Sequence, residues 1–409
     1  MTALTQPRYV IKVIWYLLLA GMLVLSSSAI LIRLTRGLIV TNLSSIMPWG
    51  AWAAFYIYFI GLSAGAFLLS SLVYAFGMTR FEKVGRMALL TALVTMFVAL
   101  VFIALDLGRI ERALVTLVRF NWLSLLAWEI RFYVLYIILL MAELWLSVRA
   151  DLVRVRDRSA WARFLLFGSK NPDHAGDRAW LRVLGLIGIP LAIFGVHGGT
   201  GAVFAVVKAR AMWSGAMMPV LFVVSALVSG TALLICVYVA REVARRRPVD
   251  LSMVQSLGKL LVGFLLVDAG LLFYEYLVPG LAMDPHETDV LRVMADGRFN
   301  WSFWFVQLGM GLFAPAVILL SSTLRRSWQW VTTASVLVVV GVAATRFNII
   351  VPPLITPPLA GLPAGDYHPT MAEWVASGGI IALGLMLFSL VAEVLPLDTQ
   401  GGAVHDQQA

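Results

Sequence analysis

The sequence predicts an all-α integral membrane protein: ten transmembrane helices, built as two parallel four-helix-bundle repeats with helices one and ten flanking them. Three observations carry this. The chain of 409 residues is 61% hydrophobic and only 13% charged, where soluble domains hold roughly one quarter charged residues. Its apolar runs recur near the ~20 residues that a helix needs to cross a bilayer. One apolar pattern also returns later in the chain.

The ten runs cover residues 13–32, 49–76, 84–105, 123–146, 183–204, 217–240, 257–277, 303–322, 331–344 and 374–395. The first follows Arg8 and Lys12 and precedes "SSSA". It exceeds the roughly 7–15 residue core of a secretion signal and is read as a retained helix. The ninth is short and the second long. Connections are brief, apart from a basic segment at 149–182 read as a loop. The whole chain, 1–409, is thus one membrane domain.

The repeat is carried by "FIGLSAGAFLLSSLVYA" and "VSALVSGTALLICVYVA", which align Gly65 with Gly230 at an offset of 165. "RFNW" occurs at 119–122 and again at 298–301, each time opening the following helix. Glu129 in one copy falls beside Gln307 in the other. Residues 49–204 form the first four-helix repeat and 217–346 the second; 13–35 and 372–395 are the flanking helices. Four helices return the chain to the same side, so the copies are parallel. Gly61 and Gly65, spaced G-x-x-x-G, serve close helix packing.

Lys and Arg favour the cytoplasmic loops of membrane proteins. The N-terminus and the loops after helices two, four, six and eight hold twenty of them, and the opposite side holds ten. Both termini are therefore expected in the cytoplasm. Topology and anionic lipid account for the net charge of +9 without nucleic acid.

This orientation brings ionisable side chains from six helices to one depth in the outer half of the membrane: Asp106, Glu129 with Arg131, His197, Glu275, Arg346, and Glu373 with His368. Charge in hydrocarbon costs about 2.5–3.5 kcal/mol on insertion scales and is retained where it is paired or lines a cavity. Arg109, Arg346 and Glu373 have the plain alternative of snorkelling to the interface. Glu129 and Arg131, two apart, each need a partner on another helix. Asp268 reads equally as a proton carrier or a structural carboxylate. Glu143 and Glu393 lie in the inner half.

Cys236 stands alone, which excludes an intrachain disulfide and a cysteine-ligated cluster. Of five histidines, only His197 lies inside a run, so paired histidine ligation of a buried haem is not expected. No metal site is expected either.

"PWGAWAAFYIYFIGLSAGAFLLSS", "ALDLGRIERAL", "LLAWEI", "HGGTGAVFAVVKARAMWSGAMMPVLFVVSALVSGTALL" and "YHPTMAEW" together resemble the NrfD/PsrC family, the membrane subunits of polysulfide-reductase-type complexes, in its longer DsrP/HybB-like branch. The resemblance implies a quinone-reactive membrane subunit without a redox cofactor of its own. Quinone or menaquinone would be its substrate near the outer face of a bacterial inner membrane. A ferredoxin-like iron–sulfur subunit, periplasmic in most members, would dock on it beside further redox subunits. In matching motifs, Asp106 and Arg109 hold the "DLGR" position, Glu129 the acidic position early in the next helix, His197 the histidine before the glycine pair, and Trp213 the tryptophan before the following span. Shorter members place quinone contacts on the first helix, where this chain has no matching polar residue.

Quinone reduction takes two electrons and two protons. Its site needs an apolar slot with a few polar groups and a proton carrier suited to the working pH. Asp106, Glu129, His197 and Glu275 are the candidate catalytic residues, and Arg109, Arg131, Trp213 and Arg346 the candidate quinone-binding ones. Two other classes stay open: a secondary transporter with a parallel repeat, and a passive membrane anchor of a redox complex. Proton translocation is left open.

Overall fold

In a computed structural model, residues 7–156, 160–166, 174–359 and 361–398 are described. Arg158, Lys170 and His405 lie outside them. Every regular element among the described residues is helical, and ten helices are long and apolar enough to cross a membrane: Val10–Val40, Ala51–Tyr74, Thr79–Asp106, Leu125–Arg154, Ala175–Ala205, Met217–Ala244, Leu251–Ala282, Trp301–Leu320, Trp328–Ile355 and Met371–Val394. They are called the first to tenth spans below. The protein is a multi-pass integral membrane protein.

Two boundaries moved for physical reasons. The ninth span runs eleven residues beyond the apolar run's end at 344, because Arg346 and Asn348 are polar yet buried inside the protein. The basic segment is mostly helix: the fourth helix continues to Val155, a short helix covers Ala160–Leu165, and the fifth begins at His174. Backbone groups near the membrane are best satisfied within a helix, and charge on the exposed side is no obstacle to one.

The second and sixth spans form the centre. They touch at glycines. A Cβ on Gly65 would strike the Ala226 carbonyl, and one on Gly230 would strike the Gly65 backbone. Where lipid removes the hydrophobic drive, such close approach supplies the dispersion contacts that hold helices together. Gly311 and Gly341 repeat the device between the eighth and ninth spans. The first and tenth spans pack on each other at the edge. Lys12 and Tyr16 both bond Glu393 at 2.7 Å, which places both ends of the described chain at one face.

The loops fix the helix ends. Asp250 caps the seventh span, accepting from Ser252 and Met253 N–H, and pairs with Lys83 at 2.6 Å. The Lys83 ammonium holds the Asp250 carboxyl down at about 2. Thr370 and Glu373 form a reciprocal capping box at the tenth span.

Two expectations follow. Gly65→Ala forces the central helices apart and costs about 1–3 kcal/mol, read as a lower thermal midpoint in detergent. Asp250→Ala costs about 1 kcal/mol through the lost cap, whereas Asp250→Asn keeps the cap and loses only an exposed pair, a few tenths of a kcal/mol. Because the folded carboxyl titrates below its unfolded value, the pair's contribution is complete above the ordinary Asp range and drains away as pH falls through about 2. The gap between wild type and Asp250→Asn should close over that interval.

Candidate functional site

His197 owes its position to a change of helix type. The fifth span is α-helical to Pro190, turns π-helical over Leu191–His197, then resumes as α-helix at Gly198. A π turn adds a residue to the turn and re-aims the side chains that follow it. His197 is wholly buried at 0% exposure. Its Nε2 lies 3.2 Å from a terminal guanidinium nitrogen of Arg346 on the ninth span. Arg346, 1% exposed, also lies over the Phe222 ring at 4.5 Å, a cation–π contact that gives a buried cation part of its compensation. Gly61 leaves the room: a Cβ there would sit 3.1 Å from the imidazole and 3.8 Å from the guanidinium.

Arg346 faces a cleft between the sixth, seventh and ninth spans, shared with Trp213, Ser225, Asp268, Leu272 and Glu275. The cleft's volume is about 30 Å³, room for a water or two. Leu272 and Glu275 on its wall are half-buried, so the cleft is not sealed. Trp213 stacks on Trp49 at 5.7 Å and donates to the Ile349 carbonyl at 2.6 Å. Arg346 Nε and Asp268 Oδ1 on the cleft, and His197 Nδ1 behind Arg346, are buried with no hydrogen-bond partner among the described residues. A buried polar group without a partner costs about 1–3 kcal/mol.

Glu129 belongs to a neighbouring cluster. It accepts from the Tyr133 hydroxyl, which also meets Tyr56 at 2.7 Å and Thr200 at 3.0 Å. Thr200 stands one turn beyond His197, so this cluster adjoins the His197–Arg346 pair. A further buried network joins Gln307, Tyr276, Asn348 and Ser302 on the other side of Arg346.

Asp106 lies elsewhere, where the first, third and tenth spans converge. Its charged neighbours are Arg33 and Glu373. Arg33, 2% exposed, donates to the Leu105 and Leu107 carbonyls at 2.7 and 2.6 Å, a cation at the negative end of the third helix. Tyr367 completes the group. Its hydroxyl donates to Glu373 and accepts from Ala51 N–H at 2.7 Å, filling the space a side chain on Gly50 would need. Burial pushes the Tyr367 phenol well up, so it remains a donor.

The eight candidates therefore divide. Trp213, Glu275 and Arg346 line the cleft, and His197 stands against Arg346 behind it. Glu129 adjoins them through Thr200, and Asp106 forms a separate group with Arg33 and Glu373. Arg109 is exposed. Arg131 turns to the loop before its own helix, donating to the Ala127 and Leu117 carbonyls at 2.7 and 2.9 Å and lying 4.0 Å over Phe120. Arg33, Tyr56, Tyr133 and Asn348 were not singled out in the sequence. Each is an ordinary residue for its helix, and only the partner brought by another span gives it meaning. Among the described residues no three His, Cys, Asp or Glu side chains are grouped to hold a metal ion.

Residues 39–358 match the family "Polysulphide reductase, NrfD". A selenate reductase subunit of Mesobacillus selenatarsenatis is 34% identical over 97% of this chain and 96% of its own. The Hdr-like menaquinol oxidoreductase integral membrane subunit of Archaeoglobus fulgidus is 28% identical over 86% and 87%. A putative dimethyl sulfoxide reductase membrane subunit of Halobacterium salinarum is 29% identical over 94% and 91%. The chain belongs to the NrfD family.

Tyr367→Phe strands the Ala51 amide and removes a donor from Glu373. A loss of about 1–3 kcal/mol is expected, read as a lower thermal midpoint.

Proposed function

We propose that this chain is the quinone-reactive membrane subunit of a multisubunit respiratory oxidoreductase. It exchanges electrons between an iron–sulfur subunit on the outer face and the quinone or menaquinone pool. The single observation that carries this is the cleft among the sixth, seventh and ninth spans: mostly apolar on its walls, half-open at Leu272 and Glu275, and reaching the buried Arg346 guanidinium with Asp268 on the same wall. The relatives' names support the setting, since they are subunits of reductases and of a menaquinol oxidoreductase.

The chemistry follows from charge. As electrons arrive, negative charge grows on the quinone oxygens. Arg346, held in a low-dielectric site over Phe222, is the cation placed to stabilise it. His197 holds the guanidinium from behind and offers Nδ1 for a proton; Asp268 and Glu275 stand on the facing helix as carboxyls able to pass protons on. Trp213, fixed by its bond to Ile349, supplies a flat wall. The electrons come from the partner subunit. The excess of Lys and Arg on the terminal face favours a cytoplasmic position for that face, with the cleft's mouth in the outer half of a bacterial inner membrane. The meeting of Gly65 with Gly230 supports the parallel repeat: aligned residues of two copies related by a two-fold meet each other at its axis.

In the purified complex, His197→Ala and Arg346→Gln should each lower quinone turnover about a hundredfold or more, while dye-linked activity of the partner subunits persists. Quinone turnover at wild-type rate in both variants would overturn the proposal.

A further inference from the structure

The fourth span carries a polar stripe along its whole length. Glu129, Tyr133, Tyr136, Glu143, Ser147 and Asp151 stand 4, 3, 7, 4 and 4 residues apart, the spacing of one helix face. They cover about 33 Å of rise, the thickness of a bilayer's hydrocarbon core. The first five are buried within the protein.

The second span answers it in parallel. The Tyr136 hydroxyl donates to the Ser63 carbonyl at 3.1 Å, an offset of 73 residues. Tyr74 and Ser147 stand again 73 apart, and the Tyr74 phenol feels both Ser147 and Glu143. The same register sets Ser70, itself 0% exposed, level with Glu143. Gly85 on the third span leaves space for the Tyr74 hydroxyl. At the terminal face the row ends in the Arg86–Asp151 ion pair. At the other end it reaches Tyr56, Tyr133 and Glu129, one turn from His197.

Glu143 is the anomaly in this row. It is 0% exposed, and neither carboxyl oxygen has a hydrogen-bond partner among the described residues. A structural acid at that depth is expected to hold a cation or a donor. Two helical turns, about 10 Å of rise, separate it from Tyr136 above, with Leu140, also 0% exposed, on the same face between them.

We infer that this face of the fourth span is a proton file connecting the terminal face of the membrane with Glu129 and His197, and that Glu143 is its carrier. The inference rests on the quinone-reactive reading above. For each quinone reduced, two electrons come from the partner subunit and two protons enter along the file. Glu129 passes a proton toward the quinone oxygen through the His197 side of the site. It regains one through the Tyr133 and Tyr136 hydroxyls, which accept and donate in turn. Glu143 supplies that proton across the two-turn stretch at Leu140 by way of water and is reloaded past Ser147 and Tyr74 from the Arg86–Asp151 end. Quinol oxidation runs the same transfers backward. Either way, each turnover moves protons through the terminal side although the quinone binds near the opposite one. The eighth span, the counterpart in the proposed second repeat, has Gly311, Ala314 and Ser321 at the positions matching Tyr133, Tyr136 and Glu143 when Gln307 is set on Glu129. Only the first copy has a file.

The test is the intact complex in liposomes, with a membrane-impermeant redox partner added outside and a pH dye inside, so that only complexes with their terminal face inward turn over. Wild type should change the internal pH in step with quinone turnover. Glu143→Gln should slow both by roughly tenfold or more, and Glu143→Asp should restore part of both. If Glu143→Gln fails to assemble, the double variant Tyr74→Phe, Ser147→Ala should give the same loss. Quinone turnover with no internal pH change in wild type, or with wild-type pH change in Glu143→Gln or the double variant, would overturn the file and leave the quinone site standing. His197→Ala turning over quinone like wild type would instead overturn the quinone site beneath it.

Discussion

A polar side chain inside a bilayer has no water to fall back on, and the whole arrangement depends on that constraint. Every buried charge must be answered by the protein or be held ready for something else. Arg33 is answered by the last carbonyls of the third span. Glu373 is answered by Tyr367 and by the amide of Thr370. Arg346 is answered in part, by an imidazole and an aromatic face, and Glu143 by no described hydrogen-bond partner. Satisfaction is graded: Arg33 and Glu373 are bonded where helices meet, while Arg346 Nε in the cleft, both Glu143 oxygens and Asp106 Oδ1 are left short.

Close packing makes this grading possible. Glycine contacts between the second and sixth spans bring two backbones together, so the polar groups of both halves lie a few side chains from one another. Gly61 does double service, since its missing side chain is the space in which His197 and Arg346 meet. The π-helical turn before His197 has a related effect. It aims the imidazole across to the ninth span without breaking the helix.

Much of the fold was legible in composition alone, because twenty apolar residues in a row leave few alternatives. The exceptions are instructive. The ninth span looked short because Arg346 and Asn348 interrupt its hydropathy, yet these two residues give that span its role. The basic segment looked like a loop because charge masks helical continuity at a membrane surface. The site was legible in part. A shared depth joined His197, Glu275 and Arg346, but depth carries no azimuth. Nothing in the sequence showed that Asp106 turns toward Arg33, that Arg131 turns back to its own loop, or that Asp268 joins the cleft. Those outcomes are set by neighbours brought from distant spans. Glu143 looked like a residue near a helix end; its isolation appears only once the fourth helix is seen to continue to Val155.

The hydroxyl of Tyr367 has one more consequence. It stands where a capping side chain would stand at the start of the second span, yet it is delivered from a connection more than three hundred residues downstream. The opening amide of the central helix and the carboxylate that organises the last helix thus share one small lever. The strap between the ninth and tenth spans therefore cannot shift sideways without uncorking both helices at once, and this rim of the protein behaves mechanically as a single clasp.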